Sequence, residues 1–143
     1  MTSSANRADI VIIEDDESIA CFLADLLEME GYRVATFPDG TAIDAVIAAA
    51  PRLILLDLML PQLDGAEVCR RLRAERRTRA TPVVIMTAAA STPIAQRLNH
   101  CRHDGLLNKP FDIDTVLTLA DRYARNHVPP ALIDDAAHGK GAR

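Results

Sequence analysis

Residues 10–17 read IVIIEDDE, so four apolar residues run without a break into four acids. The β-branched run Ile10–Ile13 is typical of a short strand buried on both faces, as strands of a parallel sheet are. Two like charges about 4 Å apart repel by roughly 4 kcal/mol at an effective dielectric constant near 20. Acids crowded at the end of a buried strand therefore need a compensating cation, or they must spread into water.

Similar apolar runs recur along the chain and alternate with segments of helical spacing. Further strands are predicted over Arg33–Phe37, Leu53–Leu56, Val83–Met86 and Leu106–Leu107. Apolar spacing and capping residues predict five helices, over residues 18–30, 41–50, 66–75, 93–101 and 113–126. Strands and helices in alternation indicate an α/β fold, a doubly wound five-stranded parallel sheet with helices on both faces.

Polar side chains follow these strands at the points where the strands end. Right-handed crossovers place the carboxyl ends of parallel strands at one edge of the sheet, where ligands bind. The residues predicted to meet there are Glu14, Asp15, Asp16, Asp57, Thr87 and Lys109. Mg²⁺ prefers a few carboxylates together with water and phosphate oxygens, and it would remove the repulsion among the acids. One carboxylate could then attack phosphorus, with Lys109 and Thr87 holding the phosphoryl oxygens.

Four segments, taken in order, resemble the receiver domains of bacterial two-component response regulators. They are VIIEDDE at 11–17, LLDLMLPQLDG at 55–65, MTA at 86–88 and KPF at 109–111. The resemblance covers about residues 8–126. It implies a flavodoxin-like sheet of strand order 2-1-3-4-5. It also implies a receiver domain over 8–127, between an N-terminal tail at 1–7 and a tail or linker stub at 128–143.

The resemblance implies a phosphorylation site and its metal ligands. Asp57 would accept a phosphoryl group from a phosphohistidine on a histidine kinase or histidine phosphotransfer protein. Asp15 would bind Mg²⁺ directly and Glu14 through water, together with Asp57 and the backbone carbonyl of Met59. Asp16 would lie just outside, and its alternative role is to cap the first helix.

The resemblance also implies a switch, in which this sequence departs from the family. Thr87, its neighbour Ala88 and Lys109 would bind the phosphoryl group and respond to it. Family members often carry an aromatic residue three positions before the lysine, where this chain has Leu106. Residues 101–105 also lack the run of small residues common there. We therefore expect an altered output surface around the helix over 93–101 and the last strand.

Composition limits the other functions open to the chain. A length of 143 residues suits one domain. A net charge of −4 and 3% aromatic residues argue against direct nucleic-acid binding by this domain. No apolar run is long enough to cross a bilayer, and three cysteines without a CxxC pair fit reduced thiols. We therefore expect a cytoplasmic protein whose downstream target is another protein, with a dimer as one outcome of phosphorylation.

One charged run has two interpretations. Six arginines lie between residues 70 and 79. They are either a solvated helix end whose cations favour the helix dipole, or a docking patch for an acidic partner or nucleic acid.

Four functions compete on the sequence. The first is a phosphorylation-controlled signalling module that is not an enzyme, beyond assisting its own phosphorylation and dephosphorylation. The second is the receiver fragment of a longer DNA-binding regulator or hybrid kinase. The third, a phosphohydrolase that uses an aspartyl phosphate, needs a second aspartate two residues after the first, but Asp57 is followed by Leu58 and Met59. The fourth, a scaffold that is never phosphorylated, conflicts with the complete set of acids, threonine and lysine.

Overall fold

The computed structural model of the chain describes residues 7–61, 65–88 and 101–125. Its strands are β1 (Ile10–Ile13), β2 (Val34–Phe37), β3 (Leu53–Asp57), β4 (Val83–Thr87) and β5 (Gly105–Asn108). All neighbouring strands are parallel, and their order in the sheet is β2-β1-β3-β4-β5. The predicted five-stranded α/β sheet and its strand order are thus confirmed.

Helices connect the strands. They are α1 (Glu17–Met29), α2 (Ile43–Ala49), α3 (Gly65–Ala74) and α4 (Ile113–Ala120). A 3₁₀ turn at Gly40–Ala42 leads into α2, and a π-helical turn at Asp121–Arg125 follows α4. Of the helix predicted over 93–101, only Cys101 is among the described residues, and the predicted tails lie almost wholly outside them. The predicted domain boundaries therefore stay predictions.

Local sequence explains where α1 begins and ends. The side chain of Asp16 caps the helix by accepting a hydrogen bond from the backbone N–H of Ile19 at 3.1 Å. At the other end Gly31 has a φ of 98°, a left-handed conformation that glycine adopts without strain. The N–H of Tyr32 then reaches back to the carbonyl of Leu27, which completes a common helix stop.

The sheet separates the core into two layers because successive strand residues point to opposite faces. Val11 and Ile13 pack with α2 and α3, whereas Ile10 and Ile12 pack with α1 and α4. The residues of β1, β3 and β4 are buried on both faces, which is why these strands read as unbroken apolar runs. Within the described ranges, no helix combines the length and apolar composition needed to cross a membrane.

Strands β3 and β4 extend one residue beyond their predicted ends, and β5 extends one residue beyond its prediction at each end. Asp57 still pairs with Met86, and Thr87 still pairs with Asn108, so both polar residues belong to the ladder. The regular α-helix of α4 ends earlier than predicted, at Ala120, where the π-helical turn begins. Backbone pairing therefore holds the polar residues that end β3 and β4 at fixed positions on the carboxyl edge.

Candidate functional site

The carboxyl edge of the sheet collects the polar residues predicted from the strand ends. Parallel pairing keeps the ends of β1, β3, β4 and β5 level, with Ile13 opposite Leu56 and Thr87 opposite Asn108. The structure brings together, at or just beyond these strand ends, Glu14, Asp15, Asp57, Thr87 and Lys109. Asp16 lies beside them, and its side chain caps α1. The predicted convergence at one edge is therefore present.

Three carboxylates form the centre of the site. One carboxylate oxygen from each of Glu14, Asp15 and Asp57 lies within 4.8 Å of the others. Glu14 and Asp57 are only 2% and 3% exposed, whereas Asp15 is exposed. The cluster is therefore buried on one side and open to solvent at Asp15, which allows a ligand to enter.

One ammonium group faces these three carboxylates. Nζ of Lys109 lies 2.7 Å from Oε1 of Glu14 and 3.5 Å from Oδ2 of Asp57. Backbone hydrogen bonding fixes the lysine, since its N–H donates to the carbonyl of Thr87 at 3.0 Å. Burial would lower the pKa of Lys109, but contact with the Glu14 and Asp57 carboxylates outweighs burial and raises it. Lys109 thus stays charged, yet it cannot balance three ionised acids.

Asp57 has a strongly perturbed acidity. Burial raises its pKa to about 7, and contact with the Glu14 carboxylate acts in the same direction. The backbone N–H of Met59, which donates to Oδ1 of Asp57 at 3.1 Å, lowers the pKa, as does the charge of Lys109. Without a further cation, this carboxyl group therefore takes up a proton much more readily than an exposed aspartate does.

Glu14 is held at both carboxylate oxygens. The backbone N–H of Asp16 donates to Oε2 of Glu14 at 3.1 Å. Oε1 is buried and forms an ion pair with the Lys109 ammonium at 2.7 Å. Three carboxylates whose oxygens lie this close together are a donor set that fits a hard divalent cation such as Mg²⁺.

A glycine supports the loop that carries Asp57. The N–H of Gly65 donates to the carbonyl of Leu58 at 2.8 Å. A Cβ atom built on Gly65 would lie 2.4 Å from the backbone oxygen of Asp57 and 2.7 Å from the Cα of Leu58. Only glycine fits this close approach. The sequence predicted Gly65 to lie in the turn just before the helix over 66–75. It did not predict the close backbone contact that excludes a side chain at this position, because that contact forms only when the loop is folded.

The remaining predicted residues surround this centre. Thr87 is buried at the end of β4, and Ala88 is exposed directly after it. Met59 is 51% exposed on the loop after β3, and Leu106 is 41% exposed on β5. The positions of these residues agree with the roles predicted for them, and those roles stay predictions.

Comparison with known proteins gives the family. The sequence profile of the response regulator receiver domain matches residues 10–121. The DNA-binding dual master transcriptional regulator RpaA of a Synechocystis species is 40% identical over 109 residues, which are 76% of this chain and 45% of that protein. The response regulator ArlR of Staphylococcus aureus is 35% identical over 126 residues, 87% of this chain and 56% of that protein. The chain thus spans about half the length of these curated relatives.

Solved structures show the same fold. The receiver domain of the sensor histidine kinase PA1611 from Pseudomonas aeruginosa, determined with a magnesium ion coordinated in its active-site cleft, matches with a TM-score of 0.76. It is 27% identical, and the match covers 83% of this chain and 98% of that one. The chemotaxis protein CheY4 of Vibrio cholerae matches with a TM-score of 0.75 and 27% identity, over 82% of this chain and 98% of that one.

Proposed function

The chain belongs to the family of response regulator receiver domains, and we propose on that basis that Asp57 is its phosphorylation site. Members of this family act in signalling by phosphorylation. The observation that carries the proposal is the meeting of Glu14, Asp15 and Asp57 with Lys109 at one edge of the sheet. Glu14 and Asp57 both contact the ammonium and belong to the carboxylate cluster, and the choice of Asp57 rests on the segment 55–65, which resembles the phosphorylated segment of the family.

The proposed reaction is transfer of a phosphoryl group from a histidine of a kinase or phosphotransfer protein. An oxygen of the Asp57 carboxylate forms a bond to phosphorus while the bond from phosphorus to the imidazole nitrogen breaks. The histidine leaves with the electron pair of that bond and regains its proton from water. Lys109, 3.5 Å from Oδ2 of Asp57, is placed to pair with an oxygen of the transferred group.

A magnesium ion fits the acidic side of this site. We propose that Asp15, Asp57 and the backbone carbonyl of Met59 hold it, with Glu14 contributing through water. When bound, Mg²⁺ supplies positive charge that offsets the negative charge of the acids and of the transferring phosphoryl oxygens. The close approach of the Glu14, Asp15 and Asp57 carboxylates, whose oxygens lie within 4.8 Å of one another, supports this assignment.

Phosphorylation would then change a protein-binding surface. We propose that Thr87 and Ala88 respond to the phosphoryl group, and that a downstream protein recognises the altered face near β5. Leu106 replaces the aromatic residue that often takes part in this response, so a ring rotation cannot transmit the signal from that position. A dimer that forms on phosphorylation is one form that the output could take.

The larger context of the domain is a second part of the proposal. We propose that residues 8–127 are a receiver that is not an enzyme toward other substrates and that works in the cytoplasm. The free cysteines Cys21, Cys69 and Cys101 fit a reducing compartment. RpaA is described as a DNA-binding regulator, and this chain matches less than half of it, which favours the receiver part of a longer DNA-binding regulator as the alternative.

A phosphorylation assay tests the assignment of Asp57. The protein is incubated with acetyl phosphate and Mg²⁺, and intact mass spectrometry measures the gain of one phosphoryl group. We expect the parent to be modified, EDTA to prevent the reaction, and Asp57→Asn to gain nothing. Asp25→Asn, which changes an exposed acid on α1, is the matched control and should react as the parent does. Modification of Asp57→Asn to the parent's extent would overturn the proposal, as would a parent that responds neither to acetyl phosphate nor to beryllofluoride.

A further inference from the structure

A dense group of arginines lies at the end of α3 and in the loop before β4. Between residues 67 and 79 there are six arginines and two glutamates, a local charge of +4 in a chain whose net charge is −4. We call the exposed members the arginine surface: Arg70, Arg71, Arg76, Arg77, Arg79 and, from the segment before β5, Arg102. Because this loop precedes β4, the surface lies at the amino edge of the sheet, away from Asp57.

The helix dipole explains only part of this charge. Cations in the last turn of a helix are stabilised by its carbonyl groups, and in α3 these are Arg71 and Arg73. The helix ends at Ala74, so Arg76 and Arg77 lie beyond the last turn, where the dipole effect has fallen away. Among the described residues, neither of these two side chains makes a hydrogen bond or an ion pair. The interaction of cations with the helix dipole therefore explains some of the six arginines between residues 70 and 79, but not Arg76 and Arg77.

The loop that carries these arginines is firmly anchored. Thr78 is fully buried, and its hydroxyl donates to the carbonyl of Leu72 at 2.7 Å. The guanidinium of Arg73 donates to the carbonyls of Arg79 at 2.8 Å and Thr81 at 2.7 Å. The backbone of the loop is thus held from two sides while the arginine side chains point into solvent. Anchoring of this kind lowers the entropy that a partner must remove on binding.

A groove of mixed lining adjoins the arginine surface. It has a volume of about 610 Å³ and runs between the start of α2 and the end of α3. Ile43 and Ala74 form its apolar part, and Thr41, Asp44, Arg71 and Glu75 line the rest. Because Asp44 and Glu75 are themselves acidic, the groove suits an apolar side chain of a ligand, and the arginines suit its acids. Since Arg76 and Arg77 follow Glu75 directly, a ligand lying in the groove would also come within reach of the arginines.

We propose that the arginine surface and this groove together bind an acidic segment of a partner protein, one that carries an apolar side chain between its acids. Guanidinium groups pair well with carboxylates. The groove can hold an apolar side chain of a peptide, whereas the phosphate backbone of a nucleic acid has no such side chain to fill it. The negative charge on the rest of the chain repels a long polyanion more than it repels a short peptide. These features favour an acidic peptide over nucleic acid. The proposal does not depend on phosphorylation of Asp57.

Fluorescence anisotropy with a labelled synthetic peptide tests this surface. The peptide consists of aspartates and glutamates with two leucines near its centre, and the full chain is titrated at low salt without Mg²⁺ or a phosphoryl donor. We expect the double variant Arg76→Glu with Arg77→Glu to bind about tenfold more weakly than the parent. Arg122→Glu, an exposed arginine in the π-helical turn after α4, is the matched control and should leave the affinity unchanged.

Two further measurements separate the partner classes. A peptide in which serines replace the leucines should bind several-fold more weakly, because it leaves the groove unfilled. A single-stranded DNA of equal charge should compete poorly. The proposal is overturned if the DNA competes as well as the peptide, if Arg122→Glu weakens binding as much as the double variant does, or if the parent binds no peptide. Urea unfolding of the double variant should match that of the parent, since these side chains have no partners among the described residues.

Discussion

The two edges of the sheet hold their charges differently. At the carboxyl edge, three carboxylates lie together, and the one ammonium among them pairs with two, Glu14 and Asp57. At the amino edge, Arg73 and Asp104 form an ion pair at 3.0 Å, and both side chains are further hydrogen-bonded to the backbone. The carboxylate cluster is left with excess charge, whereas the Arg73–Asp104 pair is balanced by the chain itself.

The balanced pair connects three parts of the fold. Arg73 of α3 donates to the carbonyl of Arg102, which precedes β5, as well as to the loop before β4. Oδ2 of Asp104 also accepts a hydrogen bond from the N–H of Val83 at 2.8 Å, and the Asp104 carbonyl accepts one from the hydroxyl of Tyr123. All three guanidinium nitrogens of Arg73 and Oδ2 of Asp104 meet protein groups, so this pair contributes to stability without an external ligand.

The carboxyl edge has the opposite property. Like charges placed together lower the stability of the fold unless a cation joins them. A site that must bind Mg²⁺ and a phosphoryl group cannot be neutralised in advance by the chain, because the neutralising groups would then occupy the ligand's place. The difference therefore predicts that loss of a charge from the Arg73–Asp104 pair is destabilising, whereas loss of a negative charge from the carboxylate cluster is stabilising.

Removal of Arg73 should have the largest effect. We expect Arg73→Met to lower the free energy of unfolding by about 3 kcal/mol, because it removes the ion pair with Asp104 and three charge-assisted hydrogen bonds to backbone carbonyls. Urea unfolding followed by circular dichroism measures this. Arg71→Met is the matched control. Arg71 lies on the same helix, its one ion pair within the described ranges is with Glu67, and its loss should cost less than about 0.5 kcal/mol. Equal losses in the two variants would contradict the assigned role of Arg73.

Removal of Asp15 should have a smaller effect of the opposite sign. In EDTA we expect Asp15→Asn to raise the free energy of unfolding by about 1 kcal/mol, because one of three crowded charges is lost. Mg²⁺ should stabilise the parent but not the variant, since binding to the folded state alone shifts the unfolding equilibrium. Thermal unfolding with and without Mg²⁺ measures both. Asp25→Asn, which changes an exposed acid elsewhere on the chain, is the control and should be stabilised by Mg²⁺ as the parent is. If Asp15→Asn is stabilised by Mg²⁺ as strongly as the parent, Asp15 is not a ligand of the ion.

The sequence was sufficient for the carboxyl edge because its signals are local. Unbroken β-branched runs predict strands buried on both faces, and parallel strands bring their terminal residues to one edge. The amino-acid sequence alone therefore places Glu14, Asp57 and Lys109 together, although they are far apart in the chain. The strand order itself came from the family resemblance, since apolar periodicity does not specify which strands are neighbours.

The amino edge could not be predicted in this way. Arg73 and Asp104 are 31 residues apart, and nothing in the residues around either one indicates the other. Their pairing depends on how α3 packs against the entry to β5, which is a property of the assembled core. The same limit applied to Gly65, whose close contact with the backbone of Asp57 appears only when the loop is folded.

Removal of the Asp9 charge should have the smallest effect on the free energy of unfolding. Asp9 pairs with Arg33 near the amino edge of the sheet, and the effect of this pair should depend on pH. Burial would raise the pKa of Asp9, but hydrogen bonds and charge from Arg33, with a weaker contribution from Arg52, outweigh burial and lower it below its usual 3.8. A group whose pKa is lowered by folding stabilises the protein above its unfolded pKa and loses that contribution as the pH falls through the folded value. We therefore expect Asp9→Asn to be less stable than the parent by about 0.5 kcal/mol near neutral pH, and this difference to shrink as the pH falls below 3.8. Urea unfolding of both proteins at successive pH values measures the difference in their free energies of unfolding. A difference that stays constant or widens in acid would show that Asp9 acts through packing and not through its charge.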